Sequence, residues 1–180
     1  GKGSFLIANR SPLDPNFRRT VVLLCGHNEN GSYGLVLNRT RDLFLTEAFP
    51  DNPMLKNSTE KLYYGGPCEQ NKIQVLHNCG DSEGSFKVCE GVYLGGKFEE
   101  IVRMKSESPT SVACRFYAGY SGWGEGQLDN EMKVKSWIGH PAEEKTVFHT
   151  PEEKLWQAIL EAKGDYYRFV ARMPEDPRTN

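Results

Sequence analysis

Two short clusters, Cys25-Gly26-His27 and His77-Asn78-Cys79, set a thiol and an imidazole two residues apart. On a β-strand such residues point to the same face. If the two strand ends abutted, two sulfurs and two ring nitrogens would converge in the tetrahedral set that zinc prefers. The tight spacing of a zinc module is missing, and cysteine is ordinarily a small core residue, so packing is the plainer reading. No metal and no cofactor is therefore assigned. The same residues offer a second chemistry: Cys25 with His27 or His77 as a hydrolytic or redox centre, because a neighbouring imidazolium raises the thiolate fraction. That requires an exposed sulfur. Cys25 closes a strongly apolar run, which predicts burial, and His27 at the loop start is expected to be exposed.

Other constellations fall short of a motif. Gly119-Tyr120-Ser121-Gly122-Trp123 lacks the glycine two residues after serine that a nucleophile elbow needs. Gly122, Gly124 and Gly126 are spaced as G-x-G-x-G and no Walker lysine follows, so they read as a tight turn that lets Trp123 pack inward. Asp129 and Glu131 belong to a polar helix face turned to solvent or a partner. Arg10, Arg18, Arg19, Arg39 and Arg41 could form a modest basic rim, without a helix-turn-helix, a finger or interleaved aromatics.

These residues must be positioned by the elements around them. Residues 4 to 9 and 19 to 25 read as strands, the second apolar on both faces and hence central. Residues 19 to 38 form a β-hairpin with a longish loop around Asn30-Gly31. Asp42 is placed as the cap of a short helix over 43 to 49, and 50 to 60 as loop. Strands follow at 61 to 64 and 73 to 77, separated by Gly65-Gly66-Pro67, and β pattern continues over 86 to 94. Helical spacing covers 97 to 105, a strand 111 to 120 and a polar helix 127 to 134; 137 to 138 and 147 to 148 are short strand candidates. Thr150-Pro151-Glu152-Glu153 has the pattern of a capped helix start, and Gly164 of a helix stop. About eight strands and three or four helices, not strictly alternating, give an α+β fold: one domain over 1 to 173 with a curved, mostly antiparallel or mixed, partly barrel-like sheet, and a frayed tail at 174 to 180.

The composition bounds the function classes. The 180 residues carry 22 Lys+Arg against 24 Asp+Glu, a formal charge of -2, so direct nucleic-acid binding would need a locally segregated basic face. No apolar run approaches the roughly 20 residues of a membrane helix, and no leader pattern opens the chain, which together lead us to expect a cytoplasmic protein without a membrane partner. Five cysteines without a C-x-x-C fit reduced thiols. The 18 glycines exceed the usual share and cluster in turns.

Those turn blocks carry a resemblance. SFLIANRSPLDPNFRRTVVLLCGHNENGSYGLVLNR, YYGGP, IQVLH, GYSGWGEGQLDNEMKVKSWI and VFHTPEEKLW are similar, in order, to the blocks of the bacterial AlgH/YqgE family, over residues 4 to 156. Gly26 stands where the family usually has an acidic residue, and Gly122 is an extra glycine. The resemblance implies a single-domain α+β fold with a curved or barrel-like sheet. It supplies no catalytic residues, because the family is largely uncharacterised; one branch carries a transcriptional-regulator label. Three functional expectations follow. The first is a non-enzymatic cytoplasmic accessory or indirect regulatory protein acting through an unknown protein or small-molecule partner. Its surface would be Asn28 and Gly31 of the 27 to 31 loop, Gly65, Gly66, His77, and Trp123, Gly126 and Gln127 of the following turn. The second is the Cys25 enzyme. The third is a transcriptional regulator that binds DNA directly through the N-terminal arginines.

Overall fold

The computed structural model describes residues 1–9 and 17–173. Strands β1 (Ser4–Ala8), β2 (Val21–Asn28), β3 (Gly31–Val36) and β4 (Thr40–Phe44) lead into helix α1 (Leu45–Ala48) and a 3-10 turn at Pro53–Leu55. Then come β5 (Lys61–Tyr64), β6 (Cys68–His77), β7 (Ser85–Cys89), β8 (Val92–Gly95), α2 (Phe98–Glu107) and β9 (Cys114–Gly124). The chain continues through α3 (Gln127–Lys133), β10 (Trp137–Pro141), α4 (Glu144–His149), α5 (Glu152–Ala162) and α6 (Asp165–Arg172).

The strands form one sheet ordered β10-β1-β2-β3-β9-β6-β8-β7, with β5 on β9 and β4 on β5. Every pairing is antiparallel except β5 with β9. The sheet curls into a half-barrel in a single α+β domain. Because both of its faces are covered, β2 has no polar side: Val21, Leu23 and Cys25 face the inner core with α5 and α6, while Val22 and Leu24 face the outer core beside Trp123 and Leu128. A third cluster lies under α1 and α2, where Leu45, Ile101 and Val102 pack on Phe116 and Ala118 of β9. Trp156 ties α5 to the sheet by donating its indole N–H to the Ala8 carbonyl at 2.8 Å. Burial of a side chain of this size contributes about 2–3 kcal/mol.

Several local expectations are corrected. The β2–β3 connection is a two-residue turn, not a longish loop, because the strands extend through Asn28 and from Gly31, and the Asn28 side chain receives the Asn30 N–H at 2.8 Å. Asp42 caps nothing; it lies on β4 beside Lys61, and α1 starts after Phe44 with no side-chain cap. Val147 and Phe148 are helical, in α4 rather than a strand. Tertiary contact decides this: the Arg115 guanidinium donates to the Val147 and Phe148 carbonyls at 2.9 and 3.1 Å, satisfying the last turn of α4. Thr150 makes no cap bond to α5, whose cap residue is Pro151, and Glu152 instead accepts from the Tyr63 hydroxyl at 3.1 Å. The described residues hold six helices, not three or four: α4 falls where 147 to 148 reads as strand, and the eight-residue α6 follows the Gly164 stop, where no helix is expected. Arg10 and the tail at 174 to 180 lie outside the described residues.

Candidate functional site

The thiol–imidazole clusters do not meet. In the sheet order β3 and β9 separate β2 from β6, three strand spacings or roughly 14 Å along the sheet. Cys25 sits where the β2–β3 register shifts between Leu24 and Gly26, and it is buried, with its thiol directed to the Leu23 carbonyl at 3.4 Å. Burial pushes the thiol up to about 12, with Cys89 nearby adding to the shift. At neutral pH it is a protonated, packed side chain, so the Cys25 nucleophile is corrected to a core residue. His27 is exposed as expected, and its Nδ1 lies 2.5 Å from the Ser32 hydroxyl, across the hairpin rather than toward the thiol.

His77 is fully buried. Its Nδ1 accepts the Cys79 backbone N–H at 3.1 Å and its Nε2 lies 2.8 Å from the Gly95 carbonyl, an arrangement that needs the neutral ring with hydrogen on Nε2. Burial lowers its pKa, and Tyr93 stacks on the ring with centroids 5.9 Å apart. The imidazole joins β6 to the end of β8 and is not available as a surface base. Among the described residues no three His, Cys, Asp or Glu side chains are grouped to hold a metal ion.

The glycine blocks have a backbone explanation. β5 pairs with β9 on the β3 side, while Cys68 of β6 pairs with Tyr120 on the other, so Gly65-Gly66-Pro67 must carry the chain across β9. A Cβ on Gly66 would stand 2.2 Å from the Tyr120 carbonyl carbon, and one on Gly65 2.3 Å from the Gly119 oxygen. Gln70 bridges the crossing, donating to the Gly66 and Ala118 carbonyls. Gly31, at the start of β3, pairs with Gly124 at the end of β9.

The next block closes on itself through Glu131. Its Oε1 accepts the indole N–H of Trp123 at 3.1 Å and of Trp137 at 2.9 Å, and its Oε2 accepts from Gln127 at 2.9 Å. Gln127 in turn receives the Gly124 N–H at 3.0 Å, and Gly126 precedes α3. The two indoles are buried and pack edge-on, 5.9 Å between centroids. Glu131, expected to face solvent or a partner, is thus an internal acceptor. The basic rim is also partly internal: Arg19 donates to the Met173 carbonyl at 2.9 Å and covers the Trp156 ring, and Arg39 donates to the Arg18 carbonyl at 2.8 Å.

The residues the sequence reading missed lie elsewhere. A groove of about 1130 Å³ runs between the α1 end with the 3-10 turn and the start of α2. Phe49, Pro50, Pro53, Met54 and Phe98 give it an apolar lining, with Asp51, Lys97, Glu99, Glu100 and Arg103 at its margins. The Phe98 ring lies 4.6 Å from Phe49 and 5.2 Å from Phe116, so the floor is anchored on β9. Among the described residues no thiol, imidazole or hydroxyl side chain lines it. One signal in the sequence could have marked it: Pro50, Pro53 and Met54 are apolar residues in a segment read as loop, with no regular element to bury them.

The AlgH-like family model matches residues 5–168. The chain belongs to this family. It is 36% identical over 182 residues to a UPF0301 protein of Chlorobium limicola, covering 99% of this chain and 95% of the relative. A UPF0301 protein of Chlamydia caviae is 35% identical over 178 residues, covering 97% and 93%. The solution structure of AlgH from Pseudomonas aeruginosa superposes with a TM-score of 0.71 at 29% identity, over 97% of this chain and 95% of that one. A crystal structure from Corynebacterium diphtheriae, 21% identical, shares the fold with a TM-score of 0.78 over 95% and 91% of the two chains.

Proposed function

We propose that this AlgH-like protein is a non-enzymatic cytoplasmic accessory protein, an indirect regulator that works through a protein partner or small ligand. The observation that carries this reading is the burial of Cys25 and His77, the two residues best suited to covalent or acid–base chemistry, in separate packed environments. The groove, by contrast, combines apolar surface with charge and has no thiol or hydroxyl nucleophile among its described lining residues, the composition of a binding surface. Regulation by direct DNA contact receives little support, since Arg19 and Arg39 are engaged with the protein's own carbonyls and the net charge is -2.

The test is genetic and needs no known ligand. In a deletion strain of the source organism, the transcript profile should be restored by the Cys25→Ala/His27→Ala double variant as fully as by the parent chain. A double variant that keeps the parental melting temperature yet fails to restore the profile would reinstate the enzymatic reading.

A further inference from the structure

The groove between α1 and α2 carries three independent features. First, it is large and open. Its volume of about 1130 Å³ lies at the upper end of the roughly 300–1,000 Å³ of small-molecule pockets, room enough for a segment of chain. Second, its floor is adaptable as well as apolar. The Phe49 and Phe98 rings are backed by Phe116, while Met54, 49% exposed, projects from the 3-10 turn. Thioether chains re-pack around different apolar partners at little cost, a property shared by surfaces that accept amphipathic segments.

The third feature is charge. Lys97 is paired with Glu83 at 3.2 Å. Asp51 on one side and Glu99, Glu100 and Arg103 on the other make no ion pair among the described residues, leaving three carboxylates against one guanidinium at the margins. An acidic margin repels phosphate-rich ligands and anionic surfaces and attracts lysine or arginine. The groove is also bounded by helices and a 3-10 turn rather than by a strand edge, so it offers no ladder for strand addition.

The geometry points to a partner of one chemistry: a basic amphipathic helix, its apolar stripe laid on Phe49, Met54 and Phe98 and its lysines or arginines meeting Asp51, Glu99 and Glu100. This rests on the reading of the protein as one that acts through a partner, and it names that partner's recognition element.

Two labelled helical peptides with the same leucine stripe, one flanked by lysines and one by glutamates, provide the probe, read by fluorescence anisotropy on the full chain. The lysine peptide should bind at least about tenfold tighter than the glutamate peptide and weaken severalfold between 50 and 300 mM salt. Met54→Lys should weaken it by about tenfold, as loss of a central anchor does, whereas Val134→Lys, at an exposed position outside the groove, should not. Glu99→Lys/Glu100→Lys should reverse the preference between the peptides. Equal binding of both peptides, binding indifferent to Met54→Lys, or no saturable binding would overturn the proposal. So would a dimer of the free protein that Met54→Lys dissociates in sedimentation, because the occupant would then be a second copy. Failure here leaves the non-enzymatic reading standing, since that reading falls only if the Cys25→Ala/His27→Ala variant fails to restore the transcript profile.

Discussion

The glycine–tryptophan end of the sheet and the α1–α2 groove are built on opposite principles. At the first, three polar side chains are spent on the protein's own groups: Gln70 on carbonyls at the chain crossing, Gln127 on Gly124, and Glu131 on two indoles. At the second, Asp51, Glu99, Glu100 and Arg103 bond to no described side chain, and Met54 projects into solvent. The difference teaches that the most recognisable sequence blocks serve the backbone. The surface with unspent interactions is written in ordinary residues.

Substitutions should separate the two regions by how strongly they affect stability. The largest effect is expected at the crossing. Gly66→Ala would drive a methyl group into the Tyr120 carbonyl, with backbone on the receiving side and φ at +151°, so neither neighbour can yield. We expect a loss of more than about 4 kcal/mol, seen as failure to refold or a collapsed denaturation midpoint. A soluble variant with a near-parental midpoint would break the claim that the motif is a backbone crossing.

Next comes Glu131→Ala, which strands two buried indole donors and should cost about 2–4 kcal/mol in urea unfolding, with altered tryptophan emission in the folded state. Glu131→Gln keeps one carbonyl acceptor and should recover part of the loss. Equal losses for the two variants would argue that packing rather than hydrogen bonding holds the turn.

A smaller, titrating effect belongs to His77. Its folded pKa lies below the ordinary histidine value because the ring is buried, so the unfolded chain binds the extra proton first as pH falls. The contribution is fully present above about pH 6.5, is lost progressively below it, and levels off once pH passes the folded value. Denaturation midpoints measured between pH 8 and 5 should therefore decline, and His77→Gln should remove that part of the decline. An unchanged slope would mean the ring's burial is not coupled to protonation. Smallest of all, Met54→Lys should alter stability by no more than about 0.5 kcal/mol, since the side chain is already half in water. A larger loss would make the groove a structural seam, and the contrast between the two regions would disappear.

Much of the scaffold was legible because its signals are local. The two-sided apolar run of β2 implied a central strand, and it lies between β1 and β3 with cores on both faces. The departure at Gly26 also has a local reason, since a Cβ there would overlap the Tyr33 ring at 2.3 Å. What was not legible depends on distant partners. Thr150 and Pro151 look like a helix cap in isolation, yet Glu152 is held by Tyr63, 89 residues away in the chain. Val147 and Phe148 read as strand until Arg115 supplies donors to the end of α4.

The amino-acid sequence alone determined the α+β class, the family and the burial of Cys25, all of which follow from residue types, the ordered turn blocks and short-range periodicity. The tertiary structure decided where the thiols and imidazoles lie relative to one another, that Glu131 is internal, and that Phe49, Met54 and Phe98 share one groove. Those facts depend on how a curled sheet orders its strands and on which distant groups meet there, and no local pattern encodes that juxtaposition.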